Sequence, residues 1–434
     1  MDLRPAYTPR PWRWIPSLYL AQGIPYVAAM TLSVVLYKNL EVSNTDIALY
    51  TSWLYLPWVI KPLWSPFVEL YRTKRFWIVG LQFVLGVALA LVALMLPGPL
   101  FFRGTLAVFW LIAFSSATHD IAADGFYLLA LPTHQQAAFV GVRSTFYRLA
   151  MISGQGGLVW LAGWWHEKTG DVVQAWMGVF GLLAACFLLA ATYHAWALPR
   201  PPRDVAPEKS APLAAGYFAV FAAFFRKKGI VGALAFLLLY RFSEAQLLKL
   251  VAPFLLDGRD AGGLGLSTQQ VGILYGTVGV IALTLGGILG GVAIARFGLR
   301  RLLWPMLLAM TVPNAVFVFL AHVQPASATI VAAALAAEQF GYGFGFSAYL
   351  LYMMLVAEGE HRTAHYAICT GFMALGMMLP GMPAGWIQEQ LGYFNFFVWI
   401  CVATIPAFVV TALIKVDPAF GRKAAANAHP SDAA

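Results

Sequence analysis

Charge is the first thing this chain is short of. Only 11% of its 434 residues are Asp, Glu, Lys or Arg, against 60% hydrophobic, and the mean hydropathy is +0.72. That balance excludes an ordinary water-soluble globular chain. Cysteine is scarce too. Cys186, Cys369 and Cys401 are odd in number and sit inside apolar stretches without metal-ligand spacing. Neither a disulfide framework nor a zinc site is expected from them, and they read as packing residues. The chain has no G-x-x-x-x-G-K-[ST] nucleotide loop and no H-E-x-x-H, and the GEH run at 359–361 has no further ligands beside it. These absences argue against an ATP-driven pump and a metallohydrolase, and no reactive cluster points to an enzyme. No cofactor or metal is expected.

The 28 Lys and Arg outnumber the 19 Asp and Glu, for a formal charge of +9. A nucleic-acid partner would need a basic patch on a soluble fold with stacking aromatics; here the basic residues fall in short loops, so none is expected.

What is abundant is long apolar sequence. A span needs about 20 residues to cross a hydrocarbon core of about 30 Å. Apolar runs near 14–38, 46–70, 76–96, 104–131, 137–164 and 173–198 make one set of six, and runs near 229–256, 268–295, 302–322, 327–356, 364–389 and 393–415 make a second. The expected fold is an all-α membrane protein of about twelve spans in two pseudo-symmetric six-helix halves, 1–198 and 229–416. A linker, 199–228, contains PRPPRDVAPEKSAP and the amphipathic YFAVFAAFFRKK, suited to a membrane interface. The Ala-rich tail 417–434 reads as disordered. The basic N-terminus resembles a signal peptide, but its apolar run is too long and lacks a cleavage site, so it is expected to stay as the first span.

Cations mark one side of this layout: Arg4, Arg10 and Arg13; Arg72, Lys74 and Arg75; Arg200, Arg203, Arg226, Lys227 and Lys228; Arg296, Arg300 and Arg301. Cationic loops resist translocation, so both termini are expected in the cytoplasm. The halves also echo each other. FVELYRTKRFW follows the second span and GVAIARFGLRRLLW the eighth, each a helix end, a basic loop and a tryptophan. Repeats of this kind build transporters around a midplane site. The second loop is similar to the major facilitator pattern G-x-x-x-D-R-x-G-R-R, with Ala295 at the acid, while Glu69 holds the acidic place in the first. Glu69, Arg72, Arg296, Arg300 and Arg301 are therefore the gating-loop candidates.

Intramembrane charges need partners or a wet cavity. Asp120 and Asp124 share one face of span four. Counting from the turn near residue 131 places Asp120 level with Arg148 and Asp124 level with Arg143 of span five, with Lys61 of span two at a similar depth. Either these are structural ion pairs or a carboxylate changes partner on protonation and couples a proton to a conformational change. His119 faces another direction and reads as packing. In the second half Glu244 lies three residues from Arg241, which partly accounts for its charge, and Glu338 has no cation near it in sequence. Asp120, Asp124, Glu244 and Glu338 are the proton-coupling candidates. Gln22 and Tyr26 flank a break at Gly23-Ile24-Pro25 where carbonyls can turn toward a cavity. With Lys61, Arg143, Arg148 and Arg241 they are the substrate or ion-pair candidates, guanidinium being suited to carboxylates. Gly286, Gly287, Gly290, Gly291, Gly381 and Gly385 read as close-packing devices.

QGIPYVAAMTL, KPLWSPFVE, SSATHDIAADGFYLLALP, YRFSEAQLLKLVAPFL and LGGILGGVAIARFGLRRL resemble the AmpG-type muropeptide permeases and the related acetyl-CoA transporters over most of the chain. That resemblance implies a proton-coupled importer of anhydro-muropeptides in a bacterial inner membrane. Muropeptide permeases carry an Asp-Ala-Trp-Lys-Thr-Asp-like run in span four where this chain reads DGFYLLALP, without the lysine and the last acid. Partners are then a small solute, protons and lipid, with a monomer expected by analogy of fold. A carrier of another solute, such as an acyl-CoA or a siderophore-like molecule, and a non-transporting sensor on the same fold are the alternatives.

Overall fold

The computed structural model describes residues 10–202, 204, 213–359, 361–417 and 420. Most of the proline-rich linker stretch and the expected tail beyond 420 lie outside them, as does the side chain of Glu69. Among the described residues there is no strand.

Span one is Pro11–Asn39. Span two is built from Asn44–Trp53 and Leu56–Leu70, and spans three and four are Lys74–Met95 and Phe101–Ala130. Span five runs through Thr133–Ile152, a π-helical Ser153–Leu158 and Val159–Thr169, and span six is Val172–Ala197. Spans seven to ten are Ile230–Leu256, Thr268–Phe297, Leu299–Val323 and Ala328–Ala357. Spans eleven and twelve, 362–391 and 393–413, part at Gly392, whose φ of 71° makes the turn, and turns at 382–383 and 403–404 interrupt each of them once. Glycine takes that left-handed conformation without a Cβ penalty.

Nine helical stretches among the described residues are long and apolar enough to cross a membrane by composition. Spans two, five and eleven fall short of that measure. Span two carries Lys61 and Pro57, Pro62 and Pro66, span five Arg143 and Arg148, and span eleven Arg362 and His365. The least lipid-like helices are those that line the contact between the halves.

Irregular turns have local causes. Span one stays α-helical through Gly23 and Pro25, and its irregularity comes later as a π-helical Ala28–Leu32, so the expected break is displaced by one turn. Gly23 is a packing residue: a Cβ there would lie 2.6 Å from that of Ala150. Glycine-rich sequence gives the π segments of span five, SGQGGL, and of span eight, Gly272–Gly279.

These two π segments touch, and glycines make the touch possible. A Cβ on Gly276 would sit 2.0 Å from Gln155 O, one on Gly272 2.5 Å from Trp160 N, and one on Gly163 2.2 Å from Gln269 N. On the other flank a Cβ on Gly385 would meet Asn44 O at 1.9 Å. Backbone thus lies against backbone where spans five and eight, and two and eleven, join the halves. Gly286 and Gly290 do the same within the second half, against Phe340 and Phe344 of span ten, while Gly291 faces open space.

The polar contacts between the halves gather at the end remote from the chain termini. Lys38 pairs with Asp257 at 2.6 Å, and the Asn44 amide donates to Gln388 at 2.7 Å and to Tyr393 at 2.9 Å. Tyr393 donates to Asp257 at 2.6 Å, and Thr45 donates to Glu389 at 2.6 Å. At the terminus end Arg72, Arg296, Arg300 and Arg301 are exposed. The linker helix Leu213–Phe225 docks on span eleven, Phe224 against His365 and Phe225 against Phe372.

Candidate functional site

Span two supplies a stripe along the contact between the halves. Thr51, Tyr55, Trp58 and Lys61 stand at helical spacing and fall on one face about 15 Å long. At its terminus-side end the first half places both aspartates of span four. Arg143 Nη2 lies 2.8 Å from Asp124 Oδ1, close enough for an ion pair although the N–H is not aligned as a hydrogen bond on that oxygen. The guanidinium is also stacked over Tyr19 at 4.7 Å and Tyr127 at 5.5 Å. Asp124 is 41% exposed and Arg143 32%, so this pair is wet and adds little stability by itself.

Asp120 sits deeper. Its partners are Lys61 at 3.8 Å and the indole N–H of Trp58, which donates at 3.2 Å, with Gln22 beside it. The expected Asp120–Arg148 pair is not formed. Arg148 instead extends toward span eight, where its guanidinium would be 3.7 Å from a Cβ on Gly287. The Asp124–Arg143 pair does form as depth-counting placed it. His119 turns away from Asp120, as expected, into a buried chain. Ser17 lies 2.9 Å from His194, His194 2.8 Å from Gln82, and Gln82 3.1 Å from His119. The chain ties spans one, six, three and four together and so fixes the rotation of the helix that carries Asp120.

At mid-depth the aromatic groups of both halves converge. Tyr26 meets Trp58 edge-on at 5.4 Å and lies beside the Tyr55 hydroxyl. From the second half Arg241 donates to the Tyr342 hydroxyl and stacks over Phe346 at 4.6 Å. Arg241 and Glu244 stay within electrostatic reach of each other, as their spacing led one to expect, but form no salt bridge. Arg241 stands at the irregular N-terminus of Phe242–Leu256, which sends its side chain toward span ten.

Glu244 and Glu338 are both fully buried. Glu338 accepts from the amide of Gln339 at 2.9 Å through one oxygen, and the other oxygen has no partner. Both oxygens of Glu244 lack a hydrogen-bond partner, yet Asn314, itself fully buried, turns its amide toward them, and the two glutamates lie within electrostatic reach of each other. The structure thus brings together two acids from separate spans, each with an amide beside it, and with Arg241 within electrostatic reach of Glu244 but in no salt bridge with it.

Several members of this site were not singled out in the sequence: Thr51, Tyr55, Trp58 and Tyr342, and with them Asn314, Gln339 and Lys249. Asn314 lies at a 3-10 turn, Val312–Asn314, next to Pro313. Gln339 follows Glu338 directly. Lys249, 4% exposed, donates to Thr51 at 2.9 Å across the halves. The stripe spacing of Thr51, Tyr55, Trp58 and Lys61 was the available signal for span two. No group of three or more His, Cys, Asp or Glu able to hold a metal ion occurs among the described residues.

The chain is similar to the anhydromuropeptide permease of Escherichia coli (strain K12), 28% identical over 406 residues, covering 92% of this chain and 78% of that protein. In fold it is similar to a bacterial homolog of the human lysosomal transporter Spinster, with a TM-score of 0.67, 16% identity, and coverage of 93% of this chain and 96% of that one. The nucleoside transporter NupG matches with a TM-score of 0.67 at 15% identity, covering 93% and 98%. These relatives and neighbours are transporters, and the protein is a multi-pass membrane transporter of the major facilitator kind for a small molecule. A sequence model of the BT1 family matches residues 22–248, so the chain belongs to the BT1 family.

Proposed function

We propose that this protein is a proton-coupled importer of anhydro-muropeptides, or of a closely related cell-wall sugar, in a bacterial inner membrane. In this reading it works as a monomer with both termini in the cytoplasm. The halves 1–198 and 229–416 rock against each other, and the segments that carry the gating-loop candidates Glu69, Arg72, Arg296, Arg300 and Arg301 close the terminus side in turn.

The observation that carries this reading is the composition of the contact between the halves. Tyr26, Tyr55, Trp58 and Tyr342 offer ring faces and edges to a sugar, aromatic residues being able to combine an apolar body with a polar tip. Lys61, Arg148 and Arg241 offer charge to a carboxylate, with guanidinium able to bind it through two N–H groups. The likeness to the anhydromuropeptide permease over 92% of the chain supports a solute with both features. Asp120 and Asp124, facing cations, and Glu244 and Glu338, facing amides, are the groups that take up and release the proton.

The test is uptake of labelled anhydro-disaccharide and anhydro-muropeptide into vesicles holding the purified protein under an imposed pH gradient. Accumulation that a protonophore abolishes is the expected result. Active protein that binds and accumulates neither solute sinks the muropeptide assignment.

A further inference from the structure

The second half carries two buried cations on one helix where the halves meet. Arg241 is 7% exposed and Lys249 4%. They stand on one helix, Phe242–Leu256 with Arg241 as its cap, eight positions apart, which sets their Cα atoms about 12 Å from each other. Both reach toward the same residue of the opposite half. The ammonium of Lys249 lies 5.2 Å from the centroid of the Tyr55 ring, and Arg241 lies within electrostatic reach of the Tyr55 hydroxyl.

Neither cation has an ion-pair partner among the described residues. The contacts of Lys249 are the Thr51 hydroxyl and a ring face. Those of Arg241 are the Tyr342 hydroxyl and the rings of Tyr342 and Phe346, and its Nε has no partner. Glu244 lies within electrostatic reach of Arg241 but forms no salt bridge with it. Hydroxyls and ring faces relieve only part of the desolvation of a buried charge. Two such charges on the wall facing the other half lack the counter-charge that a ligand can bring.

We propose that Arg241 and Lys249 form a two-point cradle for a solute bearing two separate anionic groups, with Tyr55 packed between them. The inference rests on the muropeptide reading and refines it. The bare anhydro-disaccharide has one carboxylate, whereas the peptide-bearing form has two or more spread along its stem, so the cradle selects the peptide-bearing solute.

The experiment measures KM and kcat for uptake of both solutes by wild-type protein, Lys249→Met and Lys249→Arg in vesicles, after confirming by size exclusion that each variant is folded. The expected result is a loss of about tenfold or more in the preference for the peptide-bearing form in Lys249→Met, seen in KM, and recovery in Lys249→Arg. An unchanged preference, or an equal fall for both solutes, overturns the cradle. If wild-type protein takes up neither solute, the muropeptide reading fails on its own account. The cradle is then decided by thermal unfolding of the purified protein with suberate, a dianion, against hexanoate, a monoanion. Stabilisation by suberate that Lys249→Met abolishes supports it, and equal curves for the two acids reject it.

Discussion

The two halves of this transporter keep acids in the membrane by different means. In the first half each aspartate of span four faces a cation, Asp124 with Arg143 and Asp120 with Lys61. In the second half Glu244 and Glu338 face amides, Asn314 and Gln339. A cation serves only the ionised carboxylate, so a proton that lands there breaks an ion pair and frees a charge. An amide has both a donor and an acceptor and serves either form of the acid by reversing one hydrogen bond. The lesson is that a carboxylate's neighbour sets what protonation does to the fold. In the first half it releases helices from each other; in the second it leaves them in place.

Breaking this contrast should have its largest effect where no ion pair exists. Glu338→Gln and Glu244→Gln are expected to reduce gradient-driven accumulation to the level seen with a protonophore while leaving counterflow exchange intact, as read by uptake with and without preloaded solute. Retained accumulation in both variants would remove these acids from the coupling. Asn314→Lys sharpens the comparison by making the second half resemble the first. A fixed cation beside Glu244 should hold it ionised, abolishing accumulation while raising the thermal unfolding temperature in detergent. In the first half the effect should appear in stability. Lys61→Met leaves the partly buried Asp120 with only the neutral Trp58 indole and Gln22 beside it and should destabilise by about 2 kcal/mol, measured by unfolding in lipid-detergent mixtures. The smallest effect is expected from Arg143→Met, about 0.5 kcal/mol, because its pair is already hydrated; a loss as large as that of Lys61→Met would mean the pair is drier than its exposure indicates.

The twelve-span, two-half layout could be read directly from the sequence because hydropathy reports lipid exposure, and lipid exposure sets most of this chain. The Asp124–Arg143 pair was also accessible, since spans four and five are consecutive and joined by a short turn that fixes their relative depth. Asp120 went to Lys61, which depth-counting had placed at a similar level, because span two packs beside span four; equal depth alone could not choose between Lys61 and Arg148. Arg241 and Glu244 have helical spacing, but the irregular backbone at Arg241 breaks the periodicity on which an i,i+3 pairing depends. Lys249 was hidden by the apolar run around it, LLKLVAPFL, and Asn314 by a proline turn that reads as a kink. Both acquire meaning only from what another span places opposite them.

The glycines between spans five and eight and between two and eleven have a mechanical consequence. Where side chains interdigitate, parting two helices requires rotamers to change before the surfaces come free. Along this seam the facing surfaces are peptide planes, so the halves can tilt or slide with little to disengage. It behaves as a smooth bearing, and the resistance to motion resides in the few polar clasps at its rim, Lys38 with Asp257 and Asn44 with Gln388 and Tyr393. The pace of the cycle is thereby set by a handful of exchangeable contacts, while the surfaces that carry the motion stay the same from one turnover to the next.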